Sequence, residues 1–226
     1  MDGEALKILL KYQGNYNFFC QDKYIRSNGW ANVDSRTRKG AWIGNQYNEK
    51  GQVTAYGLEG GVCVGLGVAY LISGNEWETF NAYMMSDRGK SVIRGTANLQ
   101  MLTQHSAVPS PEGWHTVLNV NHVRFVKEFD ISFDLFTANP RQALWRELTP
   151  EVGYLILAYG RTCGHVLSMR LRQGTITLFD PNSGEYSFPY KNGRSPGMES
   201  FLSYFTTVLY TRFTLFLAEK YVLSRY

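Results

Sequence analysis

The sequence predicts an α+β fold, with helices first and an antiparallel sheet after them. Three observations carry this. Helical patterns follow one another between residues 62 and 104. Apolar, strand-like segments crowd the second half, and two of them face each other across a short turn. One late helical pattern then interrupts the strands. Helices and strands that are segregated rather than alternating argue against a parallel βαβ sheet. The chain has 226 residues, no internal repeat and no clear linker, so it reads as a single domain over 1–226.

Residues 1–52 are rich in Gly, Asn, Tyr and Arg. After a short helix at 4–11 they read as a loop-rich N-terminal extension. A Gly-rich approach at 57–61 leads into 62–73, whose apolar content suits a buried helix, and Gly74-Asn75 breaks it. A second helix is expected at 76–86. A third follows at 91–104, with Ile93, Ala97, Met101 and Gln104 along one side. The segment 107–114 reads as a loop, 116–136 as one or two strands, and 140–148 as a short helix opened by Pro140. A strand is expected at 154–159. Strands at 164–171 and 175–179 flank a turn near Arg172-Gln173-Gly174, and Asp180-Pro181-Asn182-Ser183-Gly184 is a further turn. A helix at 198–210 carries Phe201, Phe205 and Val208 on one face, and a strand at 213–222 closes the chain.

Composition narrows the function. Apolar residues make up 44% and charged residues 19%, with 15 Tyr, 13 Phe and 5 Trp, which excludes a disordered chain or a coiled coil. Three cysteines without a CxxC pair exclude a disulfide scaffold and a zinc ribbon, and leave at least one free thiol. The net charge of +4 is too mild and too scattered for a nucleic-acid stripe, though contact with an anionic membrane surface stays open. No signal peptide is visible. Gly89-Lys90-Ser91 lacks the earlier glycine of a phosphate loop, and Gly65-x-Gly67 lacks the third glycine of a dinucleotide fingerprint. His105, His115 and His122 have no metal-ligand spacing. No cofactor and no metal are expected.

What remains is a constellation of Cys63, His165 and Asp180. Cys63 falls in the first turn of the 62–73 helix, where the helix dipole favours a thiolate, and a thiolate nucleophile needs an imidazole beside it. In the hairpin, His165 opens one strand and Asp180 ends the other. With Arg172-Gln173 as the loop they are directly opposite. With Gln173-Gly174 as the loop they are offset by two residues on the same face, that of Leu167, Met169, Ile176 and Leu178. In either register a carboxylate can reach and orient the ring. Each residue alone has a plainer reading: a small core thiol, a satisfied histidine, a turn-forming aspartate. Cys163, close to His165, is a second thiol or a buried small residue, and Cys20 has no informative context. Trp77, Trp114 and Trp145 fit aromatic core better than a peptide cleft.

The segment Gly61-Val62-Cys63-Val64-Gly65-Leu66, followed by Tyr70-Leu71, resembles the nucleophile helix of the YopT/AvrPphB family of papain-like cysteine proteases. Tyr70 stands where that family has Trp. His165-Val166-Leu167-Ser168-Met169 and Leu178-Phe179-Asp180-Pro181-Asn182-Ser183-Gly184-Glu185 resemble the family's His and Asp block, with a matching interval. The resemblance implies a papain-like fold, its helical N-terminal half packed on a central antiparallel sheet. It implies Cys63 as nucleophile, His165 as general base and acid, and Asp180 as orienter. The oxyanion hole would use the Cys63 backbone N–H and an upstream amide. None stands a few residues before Cys63, which leaves Gln52 as the candidate.

The function so implied is that of a thiol peptidase, a bacterial effector or toxin secreted without a cleavable signal and acting on a protein in the target-cell cytosol. The resemblance suggests a small GTPase or a kinase as substrate. The chain's own positive charge counts against a prenylated GTPase, whose tail is polybasic. A chaperone is a further expected partner. Three alternatives stay open: a glutamine deamidase or acyl transferase with the same triad, an interbacterial toxin held by an immunity protein, and a binding module with a vestigial triad.

Overall fold

The computed structural model describes residues 3–32, 41–42, 46–47, 53–55, 62–104, 112–131, 143–160, 164–209, 211 and 213–223. Its helices are α1 (Gly3–Lys11), α2 (Gln21–Ser27), α3 (Cys63–Ile72), α4 (Trp77–Met85), α5 (Asp87–Gln104), α6 (Glu112–Val120), α7 (Ala143–Glu147) and α8 (Pro196–Tyr204). A π-helical turn, Phe205–Leu209, extends α8. The strands are β1 (Asn15–Phe18), β2 (Ala31–Asn32), β3 (Ala41–Trp42), β4 (Gln46–Tyr47), β5 (Val53–Ala55), β6 (Val123–Asp130), β7 (Val152–Gly160), β8 (Gly164–Arg172), β9 (Thr175–Asp180), β10 (Gly184–Pro189) and β11 (Phe213–Leu223). Among the described residues, no helix is long and apolar enough to cross a membrane.

The fold is α+β. One antiparallel sheet runs in the order β1-β10-β9-β8-β7-β11-β6, and β2-β3 and β4-β5 form two small pairs apart from it. The central strands are apolar on both faces because both are covered. On one face Tyr154, Ile156, Leu167, Met169, Ile176, Leu178 and Phe216 pack with Ile8 and Leu9 of α1, Leu144 of α7, and Met198, Phe201 and Leu202 of α8. On the other, Leu155, Leu157, Val166 and Tyr221 meet Val64, Val68 and Leu71 of α3 and Trp114 and Leu118 of α6. Behind α3, Leu66, Ala69 and Tyr70 join Phe80 of α4, Ile93 and Ala97 of α5, Tyr24 and Ile25 of α2, and Phe179 of the sheet.

Helix α3 is sandwiched, which explains a composition apolar all round. Its glycines let it approach its neighbours. A Cβ on Gly65 would lie 2.2 Å from the Ile93 carbonyl oxygen of α5, and one on Gly67 would lie 3.0 Å from Val166 on β8. The Ser168 hydroxyl donates to the Gly67 carbonyl at 3.1 Å, fixing α3 along β8.

The hairpin takes the second of the two registers. Gln173 and Gly174 both have positive φ, 48° and 73°, which suits a two-residue turn whose twist matches that of the strands. Met169 faces Leu178 and Leu171 faces Ile176. His165 is therefore diagonal to Asp180 rather than opposite it.

Two expectations need correction. Among the described residues of the N-terminal extension, β1 forms the sheet edge against β10 and α2 packs into the α3 layer, where the sequence reads as loop. The Asn-Tyr-Asn-Phe sequence of β1 is polar because an edge strand is half exposed, and Cys20, the residue before α2, provides no side-chain cap, so neither carries a strong local signal. Second, 116–120 belongs to helix α6, and the strand begins only at Val123. Buried Trp114 and Leu118 are four residues apart, a helical spacing that short windows confuse with alternation. Glu112 to Trp114, read as loop, open the same helix. Residues 107–111 and 132–136 lie outside the described residues.

Candidate active site

Cys63 is the first residue of α3, where backbone N–H groups lack intrahelical acceptors and the helix dipole is positive. Its thiol is free and buried. His165 is the second residue of β8, pairs with Ala158 of β7, and is buried. Asp180 ends β9 and has no solvent exposure. The ladder between β8 and β9 starts at Ser168 and Phe179, so β8 runs on past its neighbour at this end. His165 and Asp180 meet there, beside the first turn of α3.

The three side chains are linked. His165 Nε2 lies 2.7 Å from Asp180 Oδ1, and the imidazole is also hydrogen-bonded to the Cys63 thiol. With Nε2 committed to Asp180, Nδ1 is the nitrogen left for the sulfur. The Asp180 carboxylate also accepts the Asn182 N–H at 3.0 Å and the Ser183 hydroxyl at 2.5 Å. A turn-forming aspartate and a ring-orienting one are thus the same residue. The Phe213 ring lies parallel to the imidazole at 6.3 Å.

The electrostatics follow from these contacts. Burial pulls the His165 imidazole down, but hydrogen bonds to Asp180 and Cys63 and their charges outweigh it, and its pKa is pushed up to about 9. Burial pushes Asp180 up, but His165, Ser183 and the Asn182 N–H hold it below the ordinary carboxylate value. At neutral pH the imidazole is therefore a cation between a carboxylate and a thiol. Among the described residues no group of three or more His, Cys, Asp or Glu side chains is placed to hold a metal ion.

The chain resembles solved structures in fold. No family model and no curated protein sequence matches it. Six chains of solved structure do. One is the avirulence protein AvrPphB of Pseudomonas, at a TM-score of 0.55 over 71% of this chain and 90% of that one. The fold is papain-like. At 13% identity the likeness is one of fold.

The other sequence candidates fall as follows. Gln52 and Cys163 lie outside the described residues, and so does His105. Cys20 is half-buried. His115 and Trp114 turn inward to Glu219, at 3.0 Å each, and Trp77 and Trp145 pack against core clusters. Tyr70 donates its hydroxyl to Glu185, just beyond the Asp180 turn, and stacks on Phe179. One residue the sequence gave no reason to choose is Gln21. Its side-chain oxygen accepts the N–H of Val62, the residue before Cys63, at 3.2 Å. Only the folding of β1 and α2 onto the Asp180 turn brings it there, and no local spacing records that.

Proposed function

We propose that the chain is a thiol peptidase in which Cys63 is the nucleophile, His165 the proton carrier and Asp180 the group that orients the ring. The observation that carries this reading is the buried imidazole at the N-terminus of α3, hydrogen-bonded to the Cys63 thiol and held by Asp180 at 2.7 Å. The likeness to an avirulence protein supports an effector that acts on a protein of the target cell.

The chemistry follows from the geometry. The Cys63 thiolate attacks a peptide carbonyl carbon, and the carbonyl π electrons move to oxygen. That oxyanion forms beside the first turn of α3, where the Cys63 backbone N–H can donate to it. The C–N bond breaks as His165 gives its proton to the departing amine, leaving a thioester. His165, now neutral, takes a proton from water. The hydroxide adds to the thioester carbon and the C–S bond breaks, releasing a carboxylic acid and restoring the thiolate–imidazolium pair.

The test compares wild type with Cys63→Ala in target-cell extract, by substrate proteomics and intact mass. Two new fragments in the wild-type sample alone are expected. A gain of about 1 Da without fragments would mean amide hydrolysis on a side chain instead. Equal cleavage by both proteins would overturn the reading.

A further inference from the structure

Gln21 stands where three segments meet. Its backbone N–H donates to the Pro181 carbonyl at 2.8 Å. Its side-chain oxygen accepts the Val62 N–H at 3.2 Å, and its amide nitrogen donates to the Asn182 side-chain oxygen. Pro181 and Asn182 directly follow Asp180, and the Asn182 N–H is itself on the Asp180 carboxylate at 3.0 Å. The contacts therefore close a ring that runs from Cys63 through Val62, Gln21, Asn182, Asp180 and His165 back to the thiol.

The remaining ties in this region hold the fold without Gln21. The turn is fastened to β1 by the Tyr16 hydroxyl on the Ser183 carbonyl at 2.6 Å and by the Asn17 amide on Glu185 at 2.9 Å. Helix α3 is fastened to β8 by Ser168 and to β10 by Tyr70 on Glu185. These bonds grip α3 along its body and the turn along its far side. The Gln21 side chain joins the residue before Cys63 to a residue after Asp180. It acts on the separation that matters to a thiol and an imidazole.

We infer that Gln21 is a positioning residue for the Cys63–His165 pair, an assignment that rests on the peptidase reading. Without its bridge, the start of α3 is held less closely to the Asp180 turn, and the thiol loses its fixed place against the ring. A misplacement of about 1 Å costs up to roughly 100-fold in rate.

The experiment is the pH dependence of Cys63 alkylation by iodoacetamide, read by peptide mass, in wild type, Gln21→Met and Asn182→Ala. Methionine keeps the bulk of glutamine and removes both hydrogen bonds. In wild type, Cys63 should be labelled rapidly at pH 6, far faster than Cys20. In Gln21→Met labelling at pH 6 should fall about 10- to 100-fold while the melting temperature stays close to wild type. Asn182→Ala should shift it in the same direction by less, and it decides the matter if Gln21→Met does not fold. Rapid wild-type labelling that both variants reproduce overturns the role of Gln21 alone. Wild-type labelling of Cys63 no faster than that of Cys20 overturns the peptidase reading and this assignment with it.

Discussion

His165 carries two opposing demands. Buried, it should lose its proton; paired with Asp180 and Cys63, it keeps it up to about pH 9. The sign of the pH dependence follows. Stability gained from its raised pKa is fully present below the ordinary 6.5 and is lost as pH rises through about 9. Stability gained from the lowered Asp180 is present above the ordinary 3.8 and is lost as pH falls through its depressed folded value. The melting-temperature gap between wild type and Asp180→Asn should therefore be widest between those limits and narrow on both sides. Catalytic rate should fall as pH rises through about 9, because the departing amine takes its proton from this ring. Asp180→Asn should lower kcat by roughly 10⁴-fold with the chain still folded, as for an orienting carboxylate elsewhere. Steady-state rates on a cleaved peptide check both.

At the scale of elements, Cys63, His165 and Asp180 stand out in the sequence because each sits beside a strong punctuation mark: a Gly-rich helix start, a strand opening, a turn at Asp180-Pro181. The hairpin could be counted to within one register, and the Gln173-Gly174 turn chose between the two. Edge strand β1 and uncapped α2 were not legible, because their contacts lie with segments far along the chain. Gln21 was invisible for the same reason. Helix α6 was misread, and its hold on the sheet is the less obvious part of the fold. Buried Glu219 of β11 accepts from Trp114 Nε1 at 3.0 Å and from the Tyr221 hydroxyl at 2.5 Å, with His115 at 3.0 Å. Glu219→Leu leaves these donors without an acceptor and should cost roughly 1–3 kcal/mol, measured by urea unfolding. Gly65→Val should also destabilise, by about 1–3 kcal/mol or more, because the Ile93 carbonyl occupies the space of its Cβ.

At the scale of the molecule, segments distant in sequence meet beneath the sheet and at its edge. Helix α1 packs on α8, and β1 closes the sheet beside β10. Leu9→Ala in α1 should cost about 2–5 kcal/mol although it lies far from the thiol, and a thermal melt would register it. The position of β11 has a further consequence. It follows the other described elements in sequence yet lies between β7 and β6, and its Phe213 ring lies parallel to the His165 ring. The hairpin that joins His165 to Asp180 is a local contact, whereas β11 pairs with strands far from it in sequence, and non-local pairing is the slower step. A refolding chain should thus pass through a stage with its imidazole and carboxylate in place but its thiol still ordinary. Iodoacetamide pulses during refolding should find Cys63 becoming hyper-reactive only in the slowest phase. Such a chain would be chemically silent until β11 pairs, with its reactivity timed by that strand rather than by a separate inhibitor.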